Sequence, residues 1–475
     1  MANADAPAIA ANRFGLGARP GELAQIGSEY RGWLSAQLRG GPLQINDPQL
    51  RSSTEILAQV LDIKREQKAA RQAVAKTVVT AMEEKPTANV NDPVMKLGEL
   101  YRPIYVAESV ARVRTAVSTE RPFVERLTQF WTNHFAVSID KNAVVGLAGS
   151  FEREAIRPFV LGSFTNLLVA AESHQAMLLY LDNHLSVGPT SRVARLRERR
   201  RQDRPFGINE NLAREILELH TLGVNGGYTQ TDVTTFAQVI SGWSISGYGP
   251  LSRGEAGGFV FRTELHEPGA KTVLGKRYAD DGFAQGEAVL RDIAAKPATA
   301  RFIATKLARH FVADEPSERT ISRIARAFVK SSGDLPTVYN ALIDSPEAWS
   351  QPRAKYKTPS DYVISTYRGL QLPTVAGRKI VGSLDVLGQR SYSPGSPAGW
   401  PDRSADWDGA SALLKRIQWA EAVAQKVGSL RDAIALGPEL LGNTLSDATR
   451  TAIGRAASPT QALTLLLTAP EFLRR

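Results

Sequence analysis

Apolar residues recur at helical spacing along most of this 475-residue chain. In the segment 30–38, YRGWLSAQL, the apolar side chains fall three or four residues apart, so they share one helix face. Serine, threonine, aspartate or proline opens several such segments, as is typical of helix starts. The pattern predicts helices over 96–117, 121–136, 151–171, 209–222, 231–243, 284–294, 297–312, 318–331, 335–344, 359–370, 409–426 and 459–470.

Two segments add detail to this helical pattern. Residues 53–84 are rich in Ala, Lys, Arg, Glu and Gln, and they predict a long, charged, amphipathic helical segment. Near 256–278, the stretches Phe259–Arg262 and Thr272–Leu274 have strand character on either side of turn residues. We therefore predict a mainly α fold, with one large multi-helix domain over residues 7–473 that carries one small β-hairpin insertion.

A long segment without helical period follows late in the chain. Residues 384–408, LDVLGQRSYSPGSPAGWPDRSADWD, are rich in glycine, proline and aromatic residues. Loops of this length within compact domains are usually functional or disordered. Trp400 and Trp407 favour an ordered loop, and we include Trp400 among the candidate substrate-binding residues.

The segment 209–224, NENLAREILELHTLGV, concentrates polar and charged residues on a predicted helix. On a regular helix, with about 100° per residue, its apolar and polar side chains separate cleanly. One side comprises Leu212, Ala213, Ile216, Leu217, Leu219 and His220, and the other comprises Glu210, Asn211, Arg214, Glu215 and Glu218. We predict that the His220 side is buried and that Glu215 and Glu218 open into a cavity.

Two explanations for the polar side stay open. Glu210, Arg214 and Glu218 are spaced for a ladder of ion pairs on a solvated helix. Glu215 and Glu218 are also three residues apart, close enough to share a divalent cation or a substrate hydroxyl, and they could act as general acid and base. Asparagine has low helical propensity, so Asn209 and Asn211 are unusual choices for a merely solvated helix.

Two other segments offer candidate catalytic side chains. His134, in LTQFWTNHFAVS, shares an apolar helix stripe with Trp131, which fits either a core histidine or a catalytic one with a perturbed pKa. His266 and Lys271, in HEPGAKTVLG, place a base and a cation together near the predicted hairpin turn. The turn GVNGGYTQTDV brings Tyr228 and Asp232 back past the end of the 209–222 helix, where they would wall the site. We include these two residues among the candidate binding residues.

Composition excludes several classes of function. The chain has no cysteine, which excludes zinc–thiolate sites, iron–sulfur clusters, c-type haem, cysteine nucleophiles and disulfides. It also lacks a phosphate-binding P-loop, a dinucleotide glycine fingerprint and a nucleophile elbow, so no nucleotide cofactor is expected.

The chain is basic, with a net charge of +10, which favours an anionic partner. Part of this charge is local, since residues 192–205 (RVARLRERRRQDRP) hold seven arginines against two acidic residues. This run is either a solvated loop or helix end, or a contact for an anion. Nucleic-acid binding is supported by charge alone.

The N-terminal residues, MANADAPAIAANRFGLGARPGE, lack the basic and apolar regions of a signal peptide. No apolar run approaches the roughly 18 residues of a transmembrane helix. The sequence as given therefore predicts a cytoplasmic protein, or a periplasmic or secreted one if a leader has been removed.

Several of these segments resemble a bacterial family known as domain of unknown function 1800, nearly from end to end. ANRFGLGARPGE, WLSAQL and FWTNHFAVS resemble its first half, and NENLAREILELHTLGV with GYTQTDV and SGW is the most specific match. HEPGAKTVLG, KYKTPSDYV and GSPAGWPD with Trp407 resemble its later segments. Where the family often has an aspartate after the hairpin histidine, this chain has Glu267, which keeps the charge.

The resemblance implies no particular activity, because the family has no established general function. Many relatives look exported and are encoded beside proteins that resemble secreted sulfatases or phosphatases, although this chain shows no leader. It therefore implies little beyond a shared fold.

The residues lead to one functional hypothesis and one alternative. The hypothesis is a hydrolase or lyase that acts on an anionic polymer, a polysaccharide, with Glu215, Glu218, His134 and His266 as catalytic residues. Substrate binding is assigned to Asn209, Glu210, Asn211, Arg214, Tyr228, Asp232, Lys271, Trp131 and Trp400. The alternative is a non-catalytic helical partner that binds or assembles with an exported enzyme.

Overall fold

The computed structural model describes residues 4–80, 93–199, 207–251, 257–350, 355–374 and 377–475, without the side chains of 73–80, 93–96 and 429. The predicted mainly α fold is confirmed. Its α-helices are α1 (Ala6–Ile9), α2 (Glu22–Ile26), α3 (Tyr30–Leu38), α4 (Ser53–Thr80), α5 (Pro93–Ser118), α6 (Pro122–His134), α7 (Ala148–Phe151), α8 (Phe164–Ser173), α9 (Gln175–Tyr180), α10 (Arg192–Arg199), α11 (Asn211–Glu215), α12 (Gln230–Val239), α13 (Phe283–Ala294), α14 (Pro297–Phe311), α15 (Glu318–Lys330), α16 (Leu335–Ile343), α17 (Pro359–Gly369), α18 (Gly377–Leu387), α19 (Ala410–Val427), α20 (Ala433–Leu441), α21 (Asp447–Gly454) and α22 (Pro459–Leu467). The charged helix predicted over 53–84 is α4, and residues 81–84 lie outside the described ranges.

The strands form two small antiparallel pairs. They are β1 (Trp243–Ile245) with β2 (Phe259–Phe261), and β3 (Lys271–Val273) with β4 (Lys276–Tyr278). The second pair is a small hairpin within the predicted β segment near 256–278, although the two predicted strands do not pair with each other, and its turn residues Leu274 and Gly275 have φ angles of 51° and 78°. Such positive φ values at both central positions belong to the tight turn whose twist matches paired strands. The strand predicted at Phe259 pairs instead with β1.

Buried apolar side chains form two large clusters. The first gathers residues from α1 through α16, and in it Phe14 stacks on Phe311 and Trp349 with ring centroids 5.8 and 5.0 Å apart. The second gathers the C-terminal helices α17 to α22. The long helix α5 belongs to both clusters, since Tyr105 lies in the first and Val113 in the second. The two clusters therefore meet along α5.

Side-chain caps fix where the site helices begin. Thr358 and Asp361 form a capping box at the start of α17, in which each side chain accepts a hydrogen bond from the other residue's backbone N–H. This exchange satisfies amide groups that have no partner within the first helical turn. Thr229 and Asp232 do the same for α12. In the part of the chain that is described, no helix combines the length and the apolar character needed to cross a bilayer.

Candidate active site

A polar cavity of about 90 Å³ lies where the two apolar clusters meet. Its walls include Tyr392 and Val137 of the first cluster and Tyr356 and Leu384 of the second. One water needs roughly 10–15 Å³ of such space, so the cavity has room for a ligand group larger than a water. We call it the central cavity.

Three sequence segments that carry the family resemblance meet in the central cavity. Asn133 of FWTNHFAVS accepts a hydrogen bond from the Trp400 amide at 2.7 Å and donates one to the Trp400 carbonyl at 3.0 Å. The KYKTPSDYV segment contributes Asp361, and GSPAGWPD contributes Trp400 and Asp402. Gly399 has a φ of +81°, and a Cβ at this position would lie 2.3 Å from the Asn133 carbonyl oxygen. Only glycine therefore allows this close approach.

Asp361 is the buried anion of the cavity wall. Arg126 donates to its Oδ1 at 3.0 Å, and Arg475 Nε lies 3.1 Å from its Oδ2. Burial opposes ionisation of this carboxyl group, but the two guanidinium groups lower its pKa below the ordinary value. Because Asp361 also caps α17, the helix start fixes the position of both arginines. Arg475 keeps its Nη1 without a hydrogen-bond partner among the described residues.

His310 and Asp402 form a second polar pair in the same cavity. His310 Nδ1 lies 3.4 Å from Asp402 Oδ1, and its Nε2 makes no hydrogen bond to a described residue. Burial, and next the positive charge of Arg475, lower the pKa of His310 to about 4. The imidazole is therefore neutral at pH 7. With Nδ1 donating to Asp402, Nε2 carries the free lone pair of a general base.

The Lys355 side chain holds the Asp402 segment in place. Lys355 donates hydrogen bonds to the Asp402 backbone carbonyl and to the Asp314 carboxylate. Burial raises the pKa of Asp402, but the hydrogen bond to His310 and the charges of Lys306 and Lys355 together lower it to about 2. Asp402 therefore stays ionised at neutral pH and can orient the His310 ring.

The charge of the cavity wall is positive. Four arginines and two aspartates line it, the arginines being Arg112, Arg126, Arg390 and Arg475. Arg112 is already balanced, since its Nε lies 2.8 Å from the buried Glu152 carboxylate. Arg126 and Arg475 together balance a single carboxylate, that of Asp361. Because His310 is neutral, the wall keeps a surplus of positive charge, which suits an anionic ligand group.

An open groove of about 1300 Å³ adjoins the central cavity. It runs between α4, α5 and α18, with Leu57, Tyr101 and Val381 among its walls. Arg390 lines both the groove and the cavity, and its guanidinium lies over the Tyr105 ring, 5.4 Å from the ring centroid. A long ligand in the groove would therefore reach the cavity at Arg390.

The helix predicted over 209–222 is not a regular α-helix. It is α11 followed by a π-helical stretch, Ile216–Thr221. Hydrogen bonds in a π-helix join residues five apart, so the turn brings His220 back towards Glu215. The separation of His220 from the carboxylates, which we predicted from a regular helix, is therefore wrong for Glu215. His220 is fully buried, as predicted.

A second polar cluster surrounds this π-helical stretch. His220 Nδ1 lies 2.8 Å from the buried Glu172 carboxylate, and the His220 carbonyl lies 3.0 Å from His134 Nε2. Burial raises the pKa of Glu215, while the nearby His220 opposes this. His134 is enclosed by aromatic rings, and burial and then the Lys306 charge hold its pKa well below the ordinary value.

Glu215 and Glu218 are both partly buried, so neither stands free in solvent. Tyr228 lies beside Glu218, and burial followed by the Glu218 charge raises the pKa of this tyrosine. The two cavities described above are lined by other residues. Whether Glu215 and Glu218 face a cavity of their own, hold a divalent cation or act in catalysis therefore stays a prediction.

Several other candidate residues have identifiable structural contacts. The ion-pair ladder has its first rung, Arg214 to Glu210 at 3.0 Å, and Glu210 also accepts hydrogen bonds from Gln230 and Thr234 of α12. Asp232 accepts a hydrogen bond from the Leu274 amide as well as capping α12. These contacts join α11, α12 and the β3–β4 hairpin.

The two asparagines of this segment differ. Asn209 Oδ1 accepts a hydrogen bond from the Asn211 amide at 2.9 Å, and its Nδ2 donates to the Leu181 carbonyl. Asn209 therefore anchors the start of α11, whereas the Asn211 side chain is exposed. Trp131 is fully buried and donates to the Tyr339 hydroxyl at 2.6 Å, as a core residue does.

His266 and Lys271 lie away from the central cavity, and His266 lines a surface cleft beside α10. Lys271 Nζ donates to the carbonyls of Glu267, Pro268 and Gly269, so its ammonium group is used to hold the turn. His266 lines the cleft together with arginines of α10. The rest of the arginine run, residues 200–204, lies outside the described ranges.

The central-cavity residues His310, Asp402, Asp361, Arg126 and Arg475 were not among the candidates from sequence. A usable signal was present, because Asp361 and Asp402 stand within the segments SDYV and GWPD that carry the family resemblance. Within the described ranges, no group of three or more His, Asp or Glu side chains is arranged to hold a metal ion.

Fold and site together define a mainly α protein with an arginine-rich cavity at the junction of two helical cores. The profile of a family described as "Protein of unknown function (DUF1800)" matches residues 9–474, so the chain belongs to this family. The resemblance seen in its sequence segments is thereby confirmed. No curated protein and no solved structure gives a significant match.

Proposed function

We propose that the chain is a hydrolase or lyase that acts on an anionic polysaccharide by acid–base chemistry in the central cavity. The observation that carries this proposal is the His310–Asp402 pair beside unbalanced arginine charge. A base whose second nitrogen is oriented by a carboxylate is a recurring catalytic arrangement. Convergent polar groups with shifted pKa values in a cavity are also the usual mark of an active site.

The protonation states of Asp361, Asp402 and His310 favour a lyase over a hydrolase. Glycoside hydrolysis usually needs one protonated carboxylic acid and one carboxylate beside the bond. Asp361 and Asp402 both have lowered pKa values, so neither holds a proton at pH 7. A neutral His310 is instead suited to removing a proton.

The elimination would begin with abstraction of a proton by His310. His310 Nε2 takes the proton from the sugar carbon next to a carboxylate, and the electron pair of that bond forms a carbon–carbon double bond. The glycosidic oxygen leaves with its bonding electrons and takes a proton from water, and His310 Nε2 then returns its proton to the hydroxide that remains. Arg475 and Arg126 would hold the substrate carboxylate and stabilise the charge that develops on it.

The open groove supports a polymeric substrate. It is far larger than the central cavity and shares Arg390 with it. A chain of sugars lying in the groove would place one charged unit at the cavity, where the acid–base groups are. Exposed lysine and arginine side chains along the groove, Lys64, Arg102 and Arg378, suit the remaining negative units.

The test is a panel of polyuronates, sulfated polysaccharides and neutral glucans incubated with the full chain. Unsaturated products, seen by ultraviolet absorbance, report a lyase, and new reducing ends without unsaturation report a hydrolase. We expect activity on the anionic polymers alone. Neither product nor binding with any polymer would reject the proposal and favour the non-catalytic assembly partner.

Substitutions of His310 and Asp402 test whether the reaction takes place in the central cavity. His310→Asn and Asp402→Asn should each lower turnover at least about a hundredfold, the usual contribution of a general base. Glu318→Gln, on the solvent-exposed helix α15, serves as the control and should retain full activity. Full activity in His310→Asn would place the reaction elsewhere.

A further inference from the structure

We propose that the cleft between α10 and His266 is a binding site for a phosphate group. This site adds to the proposed function and does not depend on it. Arg192, Arg195 and Arg199 stand at i, i+3 and i+7, so they share one face of α10. All three are exposed and line a cleft of about 330 Å³ together with His266 and Thr263.

These arginines are available to a ligand. Within the described ranges, the side chains of these three arginines form no ion pair and no hydrogen bond. Guanidinium groups bind phosphate oxygens through pairs of parallel hydrogen bonds, which makes clustered arginines suited to phosphate. An 8-residue helix that presents three of them on one face is a concentrated positive surface.

His266 is the independent observation that points to a ligand. Its side chain is only 4% exposed, and Nε2 has no hydrogen-bond partner among the described residues. Nδ1 lies 2.9 Å from the Ser241 carbonyl, so this nitrogen must donate. Burying an unsatisfied ring nitrogen is costly unless a ligand satisfies it.

The hydrogen-bonding state of His266 selects phosphate over sulfate. As a neutral ring, Nε2 can only accept, and a phosphate that carries one P–OH group can donate to it. As an imidazolium, Nε2 can donate to any phosphate oxygen. Sulfate carries no hydrogen at neutral pH, so it fits only the second state. A monohydrogen phosphate or a singly protonated phosphate ester fits both.

The acidic groups near the cleft do not cancel its charge. Glu267 is buried and accepts hydrogen bonds from the Thr190 amide and hydroxyl, both at 2.7 Å. Asp280 lies 3.7 Å from His266 Nε2 and accepts a hydrogen bond from the Gly269 amide. Among the described residues, three arginines line the cleft and neither of these carboxylates does, which leaves its lining positive.

Titration calorimetry on the full chain tests the site with four probes: inorganic phosphate, a hexose phosphate, sulfate and acetate. We expect both phosphates to bind, sulfate to bind more weakly, and acetate to bind least. Tighter binding of the hexose phosphate would show that the site takes a phosphate ester, and equal or weaker binding would show that it takes the free ion. No heat with either phosphate at millimolar concentration would overturn the proposal.

The variants are chosen so that folding does not decide the result. Arg192→Ser and Arg195→Ser change exposed side chains, and each should weaken phosphate binding about tenfold, the effect of losing one charge-assisted hydrogen-bond pair. His266→Asn keeps a donor for the Ser241 carbonyl but removes Nε2, and it should erase the preference for phosphate over sulfate. Arg319→Ser removes an equally exposed arginine from α15 and should change nothing.

Two outcomes would overturn the phosphate site. Unchanged phosphate affinity in both Arg192→Ser and Arg195→Ser would overturn the site, as would equal loss in Arg319→Ser, which would indicate non-specific charge. Phosphate binding that persists while no polysaccharide is cleaved would leave this inference standing and reject the proposed function. The two proposals therefore fail independently.

Discussion

His310 lines the central cavity with its Nδ1 3.4 Å from the Asp402 carboxylate, while its buried Nε2 has no hydrogen-bond partner among the described residues. The ring stands on α14, at the edge of the first apolar cluster, where it contacts the rings of Phe130 and Phe311. These aromatic neighbours remove water from the ring, and burial is the largest cause of its lowered pKa. The same packing thus positions the base and sets its protonation state.

Acid should destabilise the protein through His310. Its folded pKa of about 4 lies below the ordinary value of 6.5, so folding favours the neutral ring. The resulting stability is complete above pH 6.5 and is lost as the pH falls towards 4. At about 1.4 kcal/mol per pKa unit, the loss reaches about 3 kcal/mol. Urea unfolding across this pH range measures it.

His310→Asn is the matched comparison for this titration. The variant removes the ionisable ring but keeps an amide that can donate to Asp402. Its free energy of unfolding should therefore change less between pH 6.5 and 4 than that of the unchanged chain. If the free energy of unfolding depends on pH equally in the two proteins, His310 is not the group that titrates.

Asp361→Asn should destabilise the fold strongly. The change leaves Arg126 and Arg475 buried with no carboxylate to balance them, and breaking a buried ion pair on one side costs about 3–5 kcal/mol. Denaturant unfolding measures the loss. Glu318→Gln breaks the exposed pair of Arg301 and Glu318 and should leave stability almost unchanged. An equally small loss in Asp361→Asn would mean that the buried arginines are balanced by solvent.

Local chemistry made most helices predictable. The helices α14, α15, α16 and α17 end within one residue of the predicted bounds, and a serine, aspartate or threonine cap opens the last three. Where the local rule was wrong, a specific residue explains it. The helix predicted over 151–171 is interrupted at Pro158, because proline has no backbone N–H to donate within a helix. The chain forms a short 3-10 turn there, Arg157–Phe159, and α8 begins only at Phe164.

The candidate site was less predictable because its contacts are distant in sequence. Arg126 and Asp361 are 235 residues apart, and no periodicity in either segment indicates that they meet. The π-helical stretch after Glu215 is a second case. A regular helical wheel cannot place His220 beside Glu215, because the extra residue in the turn changes the period.

Gly399→Ala should destabilise the cavity wall, and comparison with Gly395→Ala separates the steric clash from the backbone strain. Gly399 has φ of +81°, and an added Cβ would meet the Asn133 carbonyl oxygen at 2.3 Å. We expect a loss of about 2 kcal/mol or more from strain and clash together, with weaker polymer binding because Trp400 must move. Gly395→Ala is the control, since its φ is +75° but no atom lies within 4 Å of the added Cβ. Equal losses of stability in both variants would mean that backbone strain accounts for the whole effect. The close approach of Gly399 to Asn133 would then not be required.

Glu215→Gln and Glu218→Gln decide between the central cavity and the π-helical cluster as the catalytic site. Burial raises the pKa of Glu215, so a neutral amide of the same shape should not lower the melting temperature. If the cluster is catalytic, both variants fold normally and lose activity or ligand binding. Glu210→Gln is the structural comparison, because Glu210 holds Arg214, Gln230 and Thr234, and it should lower the melting temperature. Sharp destabilisation by both Glu215→Gln and Glu218→Gln would favour a structural role, and full activity in both, with loss in His310→Asn, would assign the chemistry to the central cavity.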